Sequence, residues 1–156
     1  MISHNLASIN INYIYDKSLV YNNFLKDLST YKLNLEKEIK LLENKLLEDQ
    51  KSIEENQLIL NNDEITKLTN QYQIDFEKIS NMVKNINDNI SQNIRTNQNI
   101  INKQIILISQ NIAKENNIDL IIESKDFFIS SDQIDISNKI IELLNNIDFK
   151  LTINPI

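Results

Sequence analysis

The chain has 156 residues, is 41% hydrophobic and 24% charged, and carries a formal net charge of −6. That hydrophobic share is too high for a disordered chain, and the acidic balance argues against nucleic acid as the main partner, because a phosphate backbone calls for a basic surface. With no Gly there is no P-loop and no dinucleotide fingerprint; with no Cys and the single His4, no thiol nucleophile, thiolate metal site or Ser–His pair is expected, and no catalytic, cofactor-binding or metal-binding residue.

Ile (30) and Asn (26) together exceed a third of the chain. Both have A/T-rich codons, which is a bias and not a function. No apolar run approaches the roughly 18 to 20 residues that span a bilayer. Residues 1–5 lack the basic region and apolar core of a signal peptide.

Residues 6–15 (Leu6-Ala7-Ser8-Ile9-Asn10-Ile11-Asn12-Tyr13-Ile14-Tyr15) alternate apolar and polar through most of their length, which predicts a strand. Asp16 then stands where it could cap a helix, and Leu19, Val20, Phe24 and Leu28 take helical spacing. From about 22 to 116 the pattern changes. Leu35, Ile39, Leu42 and Leu46 recur at three-and-four spacing, and Ile39, Leu46, Ile53 and Leu60 fall seven apart. The intervening heptad position turns polar at Asp49 and Asn56. Asn61-Asn62-Asp63-Glu64 is the strongest turn signal, with Asp63 the expected cap of the next helix and Glu64 suited to its first turn. A second periodic run follows through Leu68, Tyr72, Phe76, Ile79, Val83, Ile86, Ile90, Ile94, Ile101, Ile105, Ile108 and Ile112, interrupted by Asn97. These are two long amphipathic helices, about 22–60 and 63–116, roughly 55 and 80 Å long at ~1.5 Å per residue. A short connection near 60–64 makes them an antiparallel hairpin, and the narrow stripe is that of a coiled-coil seam.

Beyond Asn116-Asn117, the apolar run Ile118-Asp119-Leu120-Ile121-Ile122-Glu123 predicts a buried strand, and Phe127-Phe128-Ile129 a second one across Ser124-Lys125-Asp126. Ser130-Ser131-Asp132 reads as a turn. A helix is expected at about 138–146, with Ser137 as its cap and Ile140, Ile141, Leu143 and Leu144 inward. Phe149-Lys150-Leu151-Thr152-Ile153 alternates like a weak edge strand.

The predicted strands lie at the two ends of the sequence and the hairpin lies between them. The expected organisation is a β-rich body from 1–21 and 117–156 and a helical arm from 22–116. The fold class is α+β, mostly α. Three short strands are marginal alone and expose apolar edges, so several copies are expected to pool them into one closed sheet or barrel, as a small cyclic oligomer. Leu6, Ile9, Ile11, Leu120, Ile121, Ile122, Phe127, Phe128 and Ile129 are the candidate oligomer-interface residues.

The order of strand, helical hairpin, strand pair and short helix resembles the Skp (OmpH) family of periplasmic chaperones. Ile118-Asp119-Leu120-Ile121-Ile122-Glu123, then Ser130-Ser131-Asp132 and Asp135-Ile136-Ser137, look like that family's I-D-L-V-V-D, S-S-D and D-I-T. Leu6-Ala7-Ser8-Ile9-Asn10 is similar to its first strand, and Asp63 with Thr66-Lys67-Leu68 to its hairpin tip. The likeness covers about 6–147. It implies a homotrimer with a shared β barrel and three helical arms around a cavity. It also implies ATP-independent holding of unfolded outer-membrane proteins in the periplasm, with at most transient contact with a membrane surface. The arm departs from the family's usual positive charge: residues 29–116 hold 11 Lys/Arg against 13 Asp/Glu.

Most seam residues have a plain structural job in hairpin packing, and Phe127 and Phe128 one in the core or between subunits. Tyr13, Tyr15 and Tyr21 read as body packing. Glu54-Glu55 and the Asp132, Asp135 pair read as solvated or capping carboxylates rather than a metal or acid–base site. Two other classes fit less well. A scaffolding coiled coil needs no client, and a prefoldin-like chaperone would place its β-hairpins in mid-sequence.

Overall fold

Asn10 sets the first departure from the period-two reading. In the computed structural model, which describes residues 4–127 and 131–156, the strand expected over 6–15 stops early, as β1 (Leu6–Ile9). Asn10 is extended, and its side-chain oxygen accepts from the Tyr13 N–H at 3.0 Å, so α1 (Ile11–Lys17) begins there. Five alternating residues are too few to outweigh a capped helical turn that places Ile14 fully in the core. Asp16, the expected cap of the next helix, lies inside α1. The cap is Ser18, whose hydroxyl accepts from the Tyr21 N–H, and α2 runs over Leu19–Asn56.

The other long helix, α3, is Asn62–Asn116. Its cap is Asn61 rather than Asp63. The Glu64 N–H donates to Asn61 Oδ1 at 3.0 Å and the Asn61 N–H donates to Glu64 Oε2 at 3.1 Å, a reciprocal capping box that puts Asp63 in the first turn. At the far end Asn117 takes φ 53°, and the Ile118 N–H closes back on the Ala113 carbonyl at 2.9 Å. In a chain without Gly, Asn is the residue that most readily enters this left-handed C-terminal turn.

The helices are followed by β2 (Leu120–Glu123), a 3₁₀ turn at Ser124–Asp126, a second at Asp132–Ile134, and α4 (Ser137–Asn146). β2 pairs with β1 in parallel, Leu6 opposite Leu120 through Ile9 opposite Glu123. A parallel pair needs a long crossover, and the two long helices supply it. The second strand expected at 127–129 lies, apart from Phe127, outside the described residues. On its far side β1 is met by the loop before α4, where the Ile136 N–H donates to the Ser8 carbonyl at 2.9 Å.

Ser137 does not cap α4 as expected but is its first residue. Its N–H donates to Asp135 Oδ1 at 2.8 Å, while its hydroxyl accepts from the Asn10 N–H at 2.8 Å. Ile140 and Leu144 are the fully buried members of the inward face expected for this helix. The tail from 147 carries no strand: within 149–153 the Thr152 backbone pairs with the Asn97 side chain instead of a sheet.

Two compact units result. The first, Met1–Asp27 with Asn93–Ile153, is built around Ile14, Tyr21, Phe24, Ile101, Ile105, Ile108, Ile112, Ile140 and Leu144. Here Asn145 brackets the α1–α2 junction, accepting from the Leu19 N–H and donating to the Lys17 carbonyl. The second, Leu28–Gln92 with Asn154–Ile156, is an antiparallel helical hairpin. Its core is Ile39, Leu46, Ile79 and Ile86, flanked by Leu35, Tyr72, Met82 and Ile90. Apart from Met82 these are seam positions expected from the heptads, whereas Leu42, Phe76 and Val83 of the same stripe are exposed.

Candidate functional site

Parallel register places Ala7 beside Ile121 and Ile9 beside Glu123, and alternation along each strand turns these side chains to one face of the pair. That face and the adjoining surface of α3 enclose an open cavity of about 690 Å³. Ile9, Ile11 and Ile121, three of the nine candidate interface residues, line it with Ile105, Ile106 and Ala113 of α3. Ile106 is more than half exposed although it sits among these apolar groups. Ser109 also lines the cavity. Its hydroxyl is buried with no hydrogen-bond partner among the described residues, a state that costs about 1–3 kcal/mol when nothing satisfies it.

The other interface candidates fall elsewhere. Leu6 and Leu120 stand opposite each other in the register and are both about half exposed. Ile122 is half-buried on the same face of the pair as they are. Phe127 is extended and half-buried after the turn at 124–126, and Phe128 and Ile129 lie outside the described residues. Among the described residues β2 is paired on one edge only.

At the cavity rim Lys125 Nζ lies 2.7 Å from a Glu123 carboxylate oxygen. That hydrogen bond, and then the carboxylate charge, raise the Lys125 pKa above the ordinary lysine value, so the ammonium is firmly charged. Tyr15 donates its hydroxyl to Asn102 Oδ1. Burial, then the nearby Tyr21, raise the Tyr15 pKa; the Asn102 bond works in the opposite direction, and Glu123 adds to the rise. Tyr15, Tyr21 and Phe24 form a contiguous aromatic stack in this unit, with ring centroids 4.9 and 6.2 Å apart. Packing is the role that the sequence suggested for Tyr15 and Tyr21.

In the hairpin unit the buried seam is narrow, and apolar side chains are left outside it. Leu33, Leu41 and Leu47 of α2 and Ile74 of α3 are each more than half exposed, and Phe76 nearly so. The connection between the helices is 57–61, and its Leu58 and Ile59 are 99% and 78% exposed. Small apolar hollows open along the seam, one of about 280 Å³ lined by Ile39, Val83 and Ile86 among charged neighbours. Glu54 and Glu55 sit on the exposed surface near this connection, as solvated carboxylates would.

One polar position does more than its place in the sequence announces. Asn97, which looks like a break in the second helix's stripe, is 1% exposed. Its amide donates to the Asn93 carbonyl at 2.8 Å and to the Thr152 carbonyl at 2.9 Å, while its oxygen accepts from the Thr152 N–H at 3.0 Å. The only signal available was an Asn at a seam position; its partner lies 55 residues away.

Among the described residues no helix is long and apolar enough to cross a membrane, and no group of three or more potential ligands is placed to hold a metal ion. A family model described as outer membrane protein (OmpH-like) matches residues 5–144. No curated protein matches the sequence. Among solved structures, a candidate outer membrane chaperone (OmpH-like) from Caulobacter crescentus CB15 is similar in fold, with a TM-score of 0.82 at 10% identity. The alignment covers 97% of this chain and 92% of that one.

Proposed function

This chain belongs to the OmpH-like family of outer membrane proteins, and from there we propose that it is an ATP-independent holdase of the periplasm. In this reading it binds unfolded outer-membrane β-barrel proteins, keeps them from aggregating and hands them on for membrane insertion. The observation that carries the reading is the hairpin itself. One narrow seam is enough to hold it together, yet Leu33, Leu41, Leu47, Ile74 and Phe76 remain outside that seam. Weak apolar contacts spread over a long surface bind an unfolded chain by effective concentration and release it without work. Nothing in this reading calls for a nucleotide, a metal or a catalytic group. The arm's near-neutral charge, 11 basic against 13 acidic side chains over 29–116, makes apolar contact and not charge the main source of capture. Contact with a membrane surface is transient at most.

The reading includes a homotrimer. Its β-rich body, 1–21 with 117–156, joins copies through Leu6, Ile9, Ile11, Leu120, Ile121, Ile122 and Phe127, together with Phe128 and Ile129, into a shared barrel; the arm is 22–116. The exposed Leu6–Leu120 pair supports this, as do, among the described residues, the single paired edge of β2 and the Ser109 hydroxyl without a partner.

The test is light scattering of an unfolded outer-membrane β-barrel protein diluted from denaturant, with and without this chain. Suppression of scattering is expected. Replacing 45–80 by a short turn should abolish it while leaving the oligomer intact, because residues 46 and 79 pack across the hairpin at one level. A native mass three times that of its own chain is expected for each form, about 55 kDa for the full 18.3 kDa chain and proportionately less for the shortened one. Full protection by the shortened chain refutes the arm's role, and no protection by the full chain leaves a scaffolding coiled coil as the better account.

A further inference from the structure

Asn97 pairs with the backbone of one residue the way a neighbouring strand would. Its side-chain amide gives a hydrogen to the Thr152 carbonyl and its oxygen takes one from the Thr152 N–H, at 2.9 and 3.0 Å. Both bonds land on the backbone of one residue. They therefore read extended conformation and not side-chain identity. The residues on either side, Leu151 and Ile153, are half-buried while Thr152 is exposed, so the bound stretch alternates apolar-in, polar-out. In the other unit single side-chain bonds hold the backbone of the last residues: Asn89 donates to the Asn154 carbonyl and Tyr31 Oη accepts from the Ile156 N–H, each at 3.0 Å.

We propose that Asn97 anchors a binding site for an extended peptide segment of alternating apolar residues, occupied here by the chain's own tail, so that tail and client compete for it. This rests on the holdase reading only for the identity of the competitor. Alternating strands are what an outer-membrane barrel is made of, and the tail presents that pattern in miniature. Detaching the tail strips the Asn97 amide of two partners, and another extended backbone can replace both at once. Because the tail is tethered, it competes at a high effective concentration. If it is detached in about one molecule in ten, its removal tightens client binding about tenfold.

The experiment uses the full chain, a chain ending at Lys150, and the full-length Thr152→Pro variant, which keeps the tail but lacks the N–H that Asn97 accepts. The probe is a fluorescent peptide with the sequence of residues 148–153, the stretch that lies in the same unit as Asn97. Tight binding to the shortened and Thr152→Pro chains, at least about tenfold tighter than to the full chain, is expected. Adding Asn97→Ala to either should remove it. Equal binding by the full-length, shortened and Thr152→Pro chains overturns the site, as does binding that survives Asn97→Ala. If the shortened chain loses its helical circular dichroism, the comparison of Thr152→Pro with the full chain decides alone. Aggregation assays separate this from the holdase reading: if that reading fails, no form protects a client although the peptide still binds; if the site fails, all forms protect equally.

Discussion

Replacing Ile86 by Ala deletes most of a side chain that is 6% exposed and packs with Ile39, Leu46 and Ile79. Large-to-small changes of this kind cost about 2–5 kcal/mol in a closed core. A two-helix seam has no second layer behind it, so the helices can close on the gap, and the low end, about 2–3 kcal/mol, is expected. Leu42, on the same seam but 36% exposed, buries less area, and Leu42→Ala should cost only about 1 kcal/mol. Hydrogen exchange read by mass spectrometry is the direct assay. In Ile86→Ala, amides of residues 28–92 should exchange roughly 30- to 150-fold faster through opening of the hairpin, and in Leu42→Ala roughly fivefold faster. Amides of 5–27 and 93–120 should change little, because Ile86 belongs to the other compact unit. An equal slowing or quickening of both units, or a Leu42 effect as large as that of Ile86, refutes a hairpin held by one narrow seam.

Asn61→Ala removes one half of the capping box at the start of α3 and should cost about 1 kcal/mol, seen as faster exchange of the amides of residues 62–65. Asn117→Gly should match or exceed wild-type stability by up to ~1 kcal/mol in denaturant unfolding, whereas Asn117→Val should lose more than that, since φ 53° suits Gly and not a β-branched residue. Asp135→Ala takes away the acceptor for the Ser137 N–H and should lower stability by about 1 kcal/mol. The raised Tyr15 pKa means the folded state favours the neutral phenol. Its contribution is fully present below the unfolded value near 10 and is lost as pH rises through the higher folded value. Tyr15→Phe should abolish that alkaline component of the stability profile, and an unchanged profile in this variant contradicts the assignment.

The heptad pattern located the seam because burial there depends only on spacing: Ile39, Leu46, Ile79 and Ile86 are the members that close over. The helix ends were harder to read. In a chain rich in Asn and Asp, several residues offer the same capping chemistry. Asn61 beat Asp63 because its spacing to Glu64 permits a reciprocal pair, and Ser18 beat Asp16 because Asn10 had already started a helix through it. The alternation over 11–15 misled for the same reason. Of the interface residues, Ile9, Ile11 and Ile121 do converge on one cavity. The role of Asn97 was out of reach, since local sequence carries no mark of a partner in the tail.

β1 and its partner segment sit far apart in the chain: Asn5 and Asp119, hydrogen-bonded at 2.9 Å, are separated by 114 positions. Closing a flexible loop of that length costs about 4 kcal/mol in chain entropy, more than two four-residue strands return. The helical hairpin shortens the detour, since zipping upward from its capped turn at Asn61 draws residues 19 and 116 toward one another through contacts that are each local. Folding order is thereby written into the topology. It favours an order in which the turn nucleates, the helices zip and the strand pair, which waits for residues 120–123, locks last.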